Sequence, residues 1–429
     1  MNADSDEFST RRVPRDRSIA WWRIAMINVL FSVSLPTLIT GMDLANQTTW
    51  VIFLTSTLVG SCILTLIGIP TSLVGCRTRF SSYMLARIAF GASGSTLLNL
   101  AFALSLIGWF GLNLNLFGDS MARLFEAQLG YRPARWPAEL GAGILIIGTT
   151  LVGLKAINRL SMLIVPVLLG VCAMLLVKSL ARGSVMHILA QAPTAGIPFG
   201  DAVSAIVGGY IVGAVIMPDT CRFIEPAYGA VWTAVLTYSL SNAGIMLIGG
   251  FAALALKRTD MLDLMLAMGL GAAAFAIVIG SSWLLNALNL YSAALSVDAA
   301  LPRLSRRATT LLCGTLGTLA AFLNILDHLL SFLFYLSIVF VPVASIILID
   351  VFWLRRADYV LGEGTSHAFE PPALAAWATG AAVALAGSKG FIRLTGVAAL
   401  DALMVTGLLY VILRRYLPAY RTAVSHVDG

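Results

Sequence analysis

Long apolar segments recur through most of this chain, and they limit what it can fold into. Between Trp21 and Leu413 the sequence repeatedly runs for about 18 residues or more with almost no charge, which is long enough to cross a hydrocarbon core of roughly 30 Å as a helix. Only 11% of its 429 residues are charged and 59% are hydrophobic, whereas soluble domains carry roughly 25% charged residues. The sequence therefore predicts an all-α integral membrane protein without a soluble domain.

Hydropathy, with glycine, proline and charge as boundaries, predicts about twelve transmembrane helices. They are numbered 1 to 12 here and lie near residues 20-41, 50-74, 84-118, 139-157, 160-180, 201-218, 227-256, 263-293, 308-325, 329-353, 371-389 and 394-415.

The first ten of these helices form a repeat. Helices 6, 7 and 8 follow helices 1, 2 and 3 at an offset of roughly 170 to 180 residues, and five helices per copy force the second copy to enter the membrane with opposite orientation. We expect a 5+5 inverted repeat followed by two additional helices. The predicted parts are a tail (1-19), the first repeat (20-180), the second repeat (181-356), helices 11 and 12 (357-415) and a second tail (416-429).

The formal charge of +7 arises from 28 Lys and Arg residues that lie in short loops, which argues against a nucleic-acid partner. Most of them fall in the tails and loops on the side of the N-terminus, so the positive-inside rule predicts that both termini are cytoplasmic. The five cysteines are scattered and mostly lie in apolar runs, which is typical of small packing residues. We predict no metal site, no cofactor and no enzymatic centre.

Helices 1 and 6 each carry a motif that disfavours a regular helix at mid-membrane. The run Ser34 to Gly41 contains Pro36, which lacks a backbone donor, and the run Val207 to Gly213 contains three glycines. Paired breaks at matching positions indicate a binding site, because unwound backbone needs a polar partner in the membrane. The alternative is that Pro36 only kinks helix 1 and that the glycines allow close helix packing.

Five motifs follow one another along the chain. They are Leu85 to Gly91, Gly108-Trp109-Phe110-Gly111, Gly208-Gly209-Tyr210 followed by Asp219, Trp283 to Tyr291, and Pro342 to Asp350 with Arg355-Arg356. In this order and spacing they resemble the motifs of bacterial cytosine permeases. By this resemblance the chain is identified as a member of the first nucleobase:cation symporter family, whose members have a LeuT-like fold and carry cytosine, purines, allantoin or hydantoins.

The resemblance implies a substrate site around an indole. Trp109 would stack on a flat heterocycle, Tyr210 would form the opposite wall, and the backbone of Gly209, freed by the break, would bond the ligand's edge. Asn113 lies one turn after Trp109 and would read an amide. Ser34 in the first break and Ser281 in helix 8 complete the predicted set. The alternatives are that Trp109 only packs and that Asn113 only bonds a neighbouring helix.

Four positions, which make three departures, differ from the family pattern. Leu106 replaces a helix 3 glutamine and Ser281 replaces a helix 8 asparagine, which argues against cytosine itself as the substrate. Leu284 and Leu285 replace the two hydroxyl residues of the family's sodium site, and leucine side chains offer no oxygen ligand. We therefore expect coupling to a proton, or facilitated diffusion, in preference to sodium.

Among the acidic residues, Asp43 is the candidate proton carrier, because it follows the break in helix 1. Asp219 with Arg222 is predicted to form a cytoplasmic ion pair or gate. The helix 8 stripe Ser282, Asn286 and Asn289 is assigned to contacts between helices.

The sequence thus predicts a nucleobase permease in a bacterial cytoplasmic (inner) membrane, with a small-molecule substrate, a coupling cation and the lipid bilayer as partners. The alternatives are a carrier of a pyrimidine vitamin precursor or of a ureide such as allantoin or hydantoin, and a receptor of the same fold that no longer transports.

Overall fold

A computed structural model describes residues 12–181, 196–257, 260–301, 303–323, 329–354, 368–389, 391 and 394–417. These residues form helices joined by short connections, and no strand occurs among them. The predicted all-α fold is confirmed. Most of the two predicted tails and the pair Arg355-Arg356 lie outside the described residues.

Seventeen α-helices are present in the described parts of the chain. In chain order, α1 to α17 are Trp21–Ser32, Leu35–Gln47, Trp50–Thr78, Ser82–Phe90, Ala92–Leu129, Trp136–Val152, Leu154–Leu180, Phe199–Val215, Pro218–Cys221, Ala227–Ala234, Ala243–Leu256, Met261–Ala267, Gly271–Ala300, Arg306–Ala321, Leu329–Ile349, Pro371–Ser388 and Ala398–Tyr416. Two π-helical segments, Val235–Asn242 and Asp350–Leu354, join α10 to α11 and extend α15.

Seven helical segments of the described chain are long and apolar enough to cross a membrane, and the bent pair α1 and α2 makes an eighth. Helices α6 and α16 are apolar but shorter. The chain is therefore a multi-pass integral membrane protein, and the figure of about twelve helices stays a prediction.

The break in helix 1 lies where the sequence predicts it. Helices α1 and α2 meet at 45°, and Val33 and Ser34 between them have non-helical backbone angles. Pro36 occupies the first turn of α2, where its missing N–H costs no hydrogen bond. The proline thus begins the second half-helix.

The break in helix 6 was predicted in the wrong place. Helix α8 runs without interruption from Phe199 to Val215, through the glycine run, and only Ile216 departs from helical backbone angles before α9 begins at Pro218. A Cβ on Gly208 would overlap the carbonyl oxygen of Leu333 in α15. For Gly208, the alternative that glycine allows close helix packing is therefore correct. A glycine inside a helix costs only about 1 kcal/mol of stability, and the close packing of α8 against α15 offsets that cost.

Adjacent glycines of α8 allow a matched test of this packing role. Gly208→Ala should destabilise the ligand-free protein by about 1–3 kcal/mol, because α8 must move away from the backbone of Leu333. Gly209→Ala should be nearly neutral, since the nearest atoms to its added methyl group, on the Leu333 side chain, are 3.7 Å away. Thermal unfolding in detergent measures both variants. Equal melting temperatures would contradict the packing role of Gly208.

Four sets of packed helices surround the centre of the protein. Helix α8 packs between α3 and α15, α2 packs against α11, α13 packs along α5, and the hairpin of α16 and α17 covers α15. Helix 3 is divided at Gly91, whose φ of 81° favours glycine, and Ser93 and Gly94 donate to the carbonyl oxygen of Ala368. Residues of the two interrupted helices and of α5 line one cavity.

Candidate substrate cavity at the two interrupted helices

A cavity of about 40 Å³ lies where the breaks of helices 1 and 6 face α5 and α13. A space of roughly 10–15 Å³ holds one water molecule, so this cavity has room for a few waters. Its walls are mainly apolar. The lining residues are Phe31, Ser34, Pro36, Thr40, Leu106, Trp109, Gly209, Tyr210, Val212, Gly213, Ile216, Tyr238, Leu285, Asn289 and Leu333.

The indole of Trp109 forms one wall and lies inside the protein. Its ring meets Phe332 of α15 edge-on, with the ring centroids 5.5 Å apart and an angle of 70° between the planes. Leu112 and Leu333 belong to the same apolar cluster. Helix α5 thus presents an aromatic face to the cavity, and α15 packs beside it.

Tyr210 lines the cavity from α8, and its hydroxyl is bonded to the start of α2. The Tyr210 hydroxyl donates to Thr37 Oγ1 at 2.5 Å, and Thr37 Oγ1 lies 2.9 Å from Ser34 Oγ. Thr40 donates to the carbonyl oxygen of Pro36. These hydroxyl groups hold the two interrupted helices together and are already hydrogen-bonded within the protein.

The other three predicted site residues have different placements. Gly209 lines the cavity, but it lies within regular α8, so its backbone is not freed as predicted. Asn113 is buried outside the cavity lining, and its Nδ2 atom has no hydrogen-bond partner among the described residues. Ser281 is also outside the lining and donates to the carbonyl oxygen of Ile277 at 2.5 Å. Their roles in substrate binding stay predictions.

Two polar residues of the cavity were missed by the sequence analysis. Tyr238 reaches it from the π-helical segment, and no sequence motif predicted that segment. Asn289 had been assigned to helix packing together with Asn286. Asn286 does donate to the carbonyl oxygen of Phe110 at 3.2 Å, whereas Asn289 faces the cavity. Asn289 lies four residues after Leu285, which also lines the cavity, so the two side chains share one face of the helix. This spacing could have predicted the position of Asn289.

The two leucines that the resemblance places at the family's sodium site are buried. Leu284 is fully enclosed, and Leu285 contributes apolar surface to the cavity. Sodium is a hard cation that requires oxygen ligands, and these side chains have none. Within the described chain, no three His, Cys, Asp or Glu residues cluster as metal ligands.

Asp219 joins helix 6 to helix 3 on the side of the N-terminus. Its side chain is buried, and one carboxylate oxygen accepts hydrogen bonds from the backbone N–H and the hydroxyl of Ser82, at 2.8 and 2.7 Å. Arg222 donates from Nε to the carbonyl oxygen of Asp219. Nearby, Asn28 of α1 donates to Thr220 Oγ1 at 3.0 Å. These bonds join helix 6 to helices 1 and 3 just after its interruption.

Asp43 lies near the opposite end, in the last turns of α2 and outside the cavity lining. It is half-buried and experiences the like charge of Asp260. Asp260 in turn pairs with Arg123 of α5 at 3.2 Å, and Arg123 also binds Asp119 at 2.8 Å.

A membrane-embedded cavity at two interrupted helices, enclosed by packed helices, is the arrangement of a secondary transporter. The sequence agrees: residues 13–409 match the family model described as permease for cytosine/purines, uracil, thiamine, allantoin. The chain belongs to this family. Its relatives are transport proteins and not enzymes.

Individual proteins show the same relationship. The cytosine permease of Escherichia coli strain K12 is 27% identical over 399 residues, which are 91% of this chain and 90% of the permease. Mhp1, a nucleobase-cation-symport-1 family transporter solved in a closed conformation with bromovinylhydantoin bound, superposes with a TM-score of 0.82 at 18% identity, covering 99% of this chain and 98% of Mhp1.

A Na+-coupled sialic acid symporter in a substrate-bound outward-open state gives a TM-score of 0.72 at 13% identity, over 95% of this chain and 93% of the symporter. At these identities the two solved structures establish the fold alone. The LeuT-like fold predicted from the sequence is confirmed.

Proposed function

We propose that this protein is a secondary active transporter that carries a nucleobase or a related flat nitrogen heterocycle by alternating access. The observation that supports the proposal is the position of Trp109 and Tyr210 on the walls of one cavity between the two interrupted helices. Cytosine, for which the related permease is named, and the bromovinylhydantoin bound to Mhp1 are both flat nitrogen heterocycles.

Such a ligand suits the cavity chemically. A flat heterocycle offers two π-faces that pack against aromatic rings and an edge of donors and acceptors that a few polar groups can read. Leu106 lies on the wall where cytosine permeases carry a glutamine, so the polar contacts to the edge must come from elsewhere. This difference favours the second candidate substrates, a pyrimidine vitamin precursor or a ureide such as allantoin or hydantoin, over cytosine.

We propose coupling to protons and not to sodium. Leu284 and Leu285 leave the sodium positions without side-chain oxygens, whereas Asp43 is a half-buried carboxylate in a membrane-spanning helix, a residue type that is rare there without a function. Asp43 is therefore the proposed proton carrier, and Asp219 is the proposed gate.

Uptake into proteoliposomes tests this function. Labelled cytosine, uracil, hypoxanthine, allantoin, hydantoin and hydroxymethylpyrimidine are offered with sodium, potassium or choline outside. We expect at least one to accumulate equally in all three salts and faster under an inward proton gradient. Asp43→Asn should still bind that substrate but lose the response to the gradient. Uptake that requires sodium would refute the proposed coupling.

The receptor alternative makes a different prediction in the same vesicles. A protein that has lost transport would bind one of these ligands and never exchange labelled for unlabelled molecules across the bilayer. Exchange in counterflow therefore supports a carrier, and saturable binding without exchange supports a receptor.

We also propose that the protein resides in a bacterial inner membrane with both termini cytoplasmic and with the five-helix repeats at 20-180 and 181-356. The distribution of Lys and Arg supports this orientation. A cysteine introduced near the C-terminus should react with an impermeant reagent only from the cytoplasmic side.

A further inference from the structure

One cavity hydroxyl, that of Tyr238, stands apart from the others. Tyr238 lies in the π-helical segment between α10 and α11, and its side chain is only 2% exposed, yet it contributes to the cavity surface. Single turns of π-helix are rare and occur frequently at functional sites, because the wider turn redirects a side chain. Here the segment directs a phenol ring toward the interrupted part of helix 6.

Two glycines make room for this side chain. A Cβ on Gly68 of α3 would lie 2.8 Å from the Cε2 atom of the Tyr238 ring, which is too close for any larger residue to fit without movement. A Cβ on Gly213 of α8 would lie 3.5 Å from the Tyr238 hydroxyl oxygen. Helices α3 and α8 therefore fix the ring and hold its hydroxyl beside Gly213, which also lines the cavity.

The remaining cavity hydroxyls are hydrogen-bonded within the protein. Tyr210 donates to Thr37, Thr37 is bonded to Ser34, and Thr40 donates to the carbonyl oxygen of Pro36. The hydroxyl of Tyr238 makes no hydrogen bond to any described residue. This O–H faces a cavity with mainly apolar walls and has no protein acceptor among the described residues, so it can donate to a ligand that offers one.

We propose that Tyr238 is a specificity-determining residue of the substrate site and that its hydroxyl donates a hydrogen bond to a carbonyl oxygen on the edge of the heterocycle. This inference rests on the proposed function and narrows it to heterocycles that carry a lactam or ureide carbonyl. An exocyclic carbonyl projects beyond the ring and accepts from two directions, so it reaches a hydroxyl recessed between two helices. A ligand edge with donors only leaves the tyrosine O–H unpaired.

Paired ligands and one conservative variant test the proposal. The probes are cytosine, uracil, hypoxanthine and hydantoin, each compared with the analogue in which sulfur, a weak acceptor, replaces the carbonyl oxygen. Affinities are measured on purified protein by thermal shift and by displacement of whichever labelled probe binds.

For at least one pair we expect the wild-type protein to prefer the carbonyl ligand by about tenfold. Tyr238→Phe should remove that preference by weakening the carbonyl ligand alone. Its melting temperature without ligand should match wild type, because the hydroxyl has no protein partner to lose.

Two tyrosine variants serve as controls. Tyr335→Phe removes the hydroxyl of a side chain that is 58% exposed on α15 and should leave all affinities unchanged. Tyr210→Phe breaks the bond to Thr37 and should weaken both members of every pair by the same factor.

Two outcomes would overturn the inference, and they are distinguishable. A carbonyl preference that persists in Tyr238→Phe would refute the role of Tyr238 and leave the transporter function standing. A wild-type protein that binds none of the probes would refute the proposed function and, with it, this inference.

Discussion

Trp109→Ala should weaken binding of the transported heterocycle by at least about 30-fold, the effect of losing an aromatic contact of roughly 2 kcal/mol. The indole is the largest aromatic ring among the residues that line the cavity, and the neighbouring Phe332 ring meets it edge-on. Insertion into the membrane should stay normal, since the ring only partly contributes to the buried core. Equilibrium binding with the best substrate from the uptake panel measures the effect.

The choice of variants separates stacking from general packing. Trp109→Phe keeps an aromatic face and should retain an intermediate affinity. Trp353→Ala removes an indole of the same size from a side chain that is 71% exposed, and it should leave affinity unchanged. An affinity of Trp109→Ala equal to wild type would eliminate the stacking model while leaving the fold and family intact.

The sequence predicted the features that depend on local chemistry. Apolar length predicted the membrane helices, and Pro36 predicted the break in helix 1, because a proline has few permitted positions in any helix. The resemblance to the permease family brought Trp109, Tyr210, Gly209 and Ser34 to a single site, and the structure places all four on one cavity.

Features that depend on tertiary packing were beyond the sequence analysis. Glycines both break helices and allow close approach, and only the carbonyl of Leu333 against Gly208 shows that close approach applies there. No residue pattern in the sequence marks the π-helical segment that carries Tyr238. This segment packs against α1 and α3. Asn286 and Asn289 belong to the same polar stripe of α13, but only Asn289 points into the cavity. The stripe alone could not predict this difference.

The contacts that bound the cavity differ at its two ends. Toward the end of the N-terminus, helix 6 is tied to helix 3 by Asp219 and Ser82 and to helix 1 by Thr220 and Asn28. On the other side, α15 covers Trp109 through apolar contacts of Phe332 and Leu333. Apolar side chains that slide past one another lose little contact free energy, whereas the two buried hydrogen bonds to the carboxylate must be broken together. We therefore propose that opening toward the N-terminal side depends on Asp219.

Asp219→Ala should shift the protein toward a conformation that is open on that side. The variant loses both hydrogen bonds from Ser82 to the buried carboxylate, and a loss of about 2 kcal/mol from the closed state raises the open fraction roughly 30-fold. Cys221, two residues further on and fully buried, is a native reporter. In a variant with Cys221 as the only cysteine, the rate of labelling by a thiol reagent should rise by at least tenfold, and substrate accumulation should be lost.

Ser82→Ala provides the graded comparison, because it removes only the hydroxyl donor and retains the backbone N–H bond to Asp219. Its labelling rate should lie between those of the wild type and Asp219→Ala, and its smaller perturbation keeps the test valid even if Asp219→Ala fails to fold. Added substrate should slow the labelling of Cys221 in both variants, because a ligand bound between the interrupted helices favours the closed state. Unchanged labelling in both folded variants would show that this contact is a structural cap on α4 and not the gate.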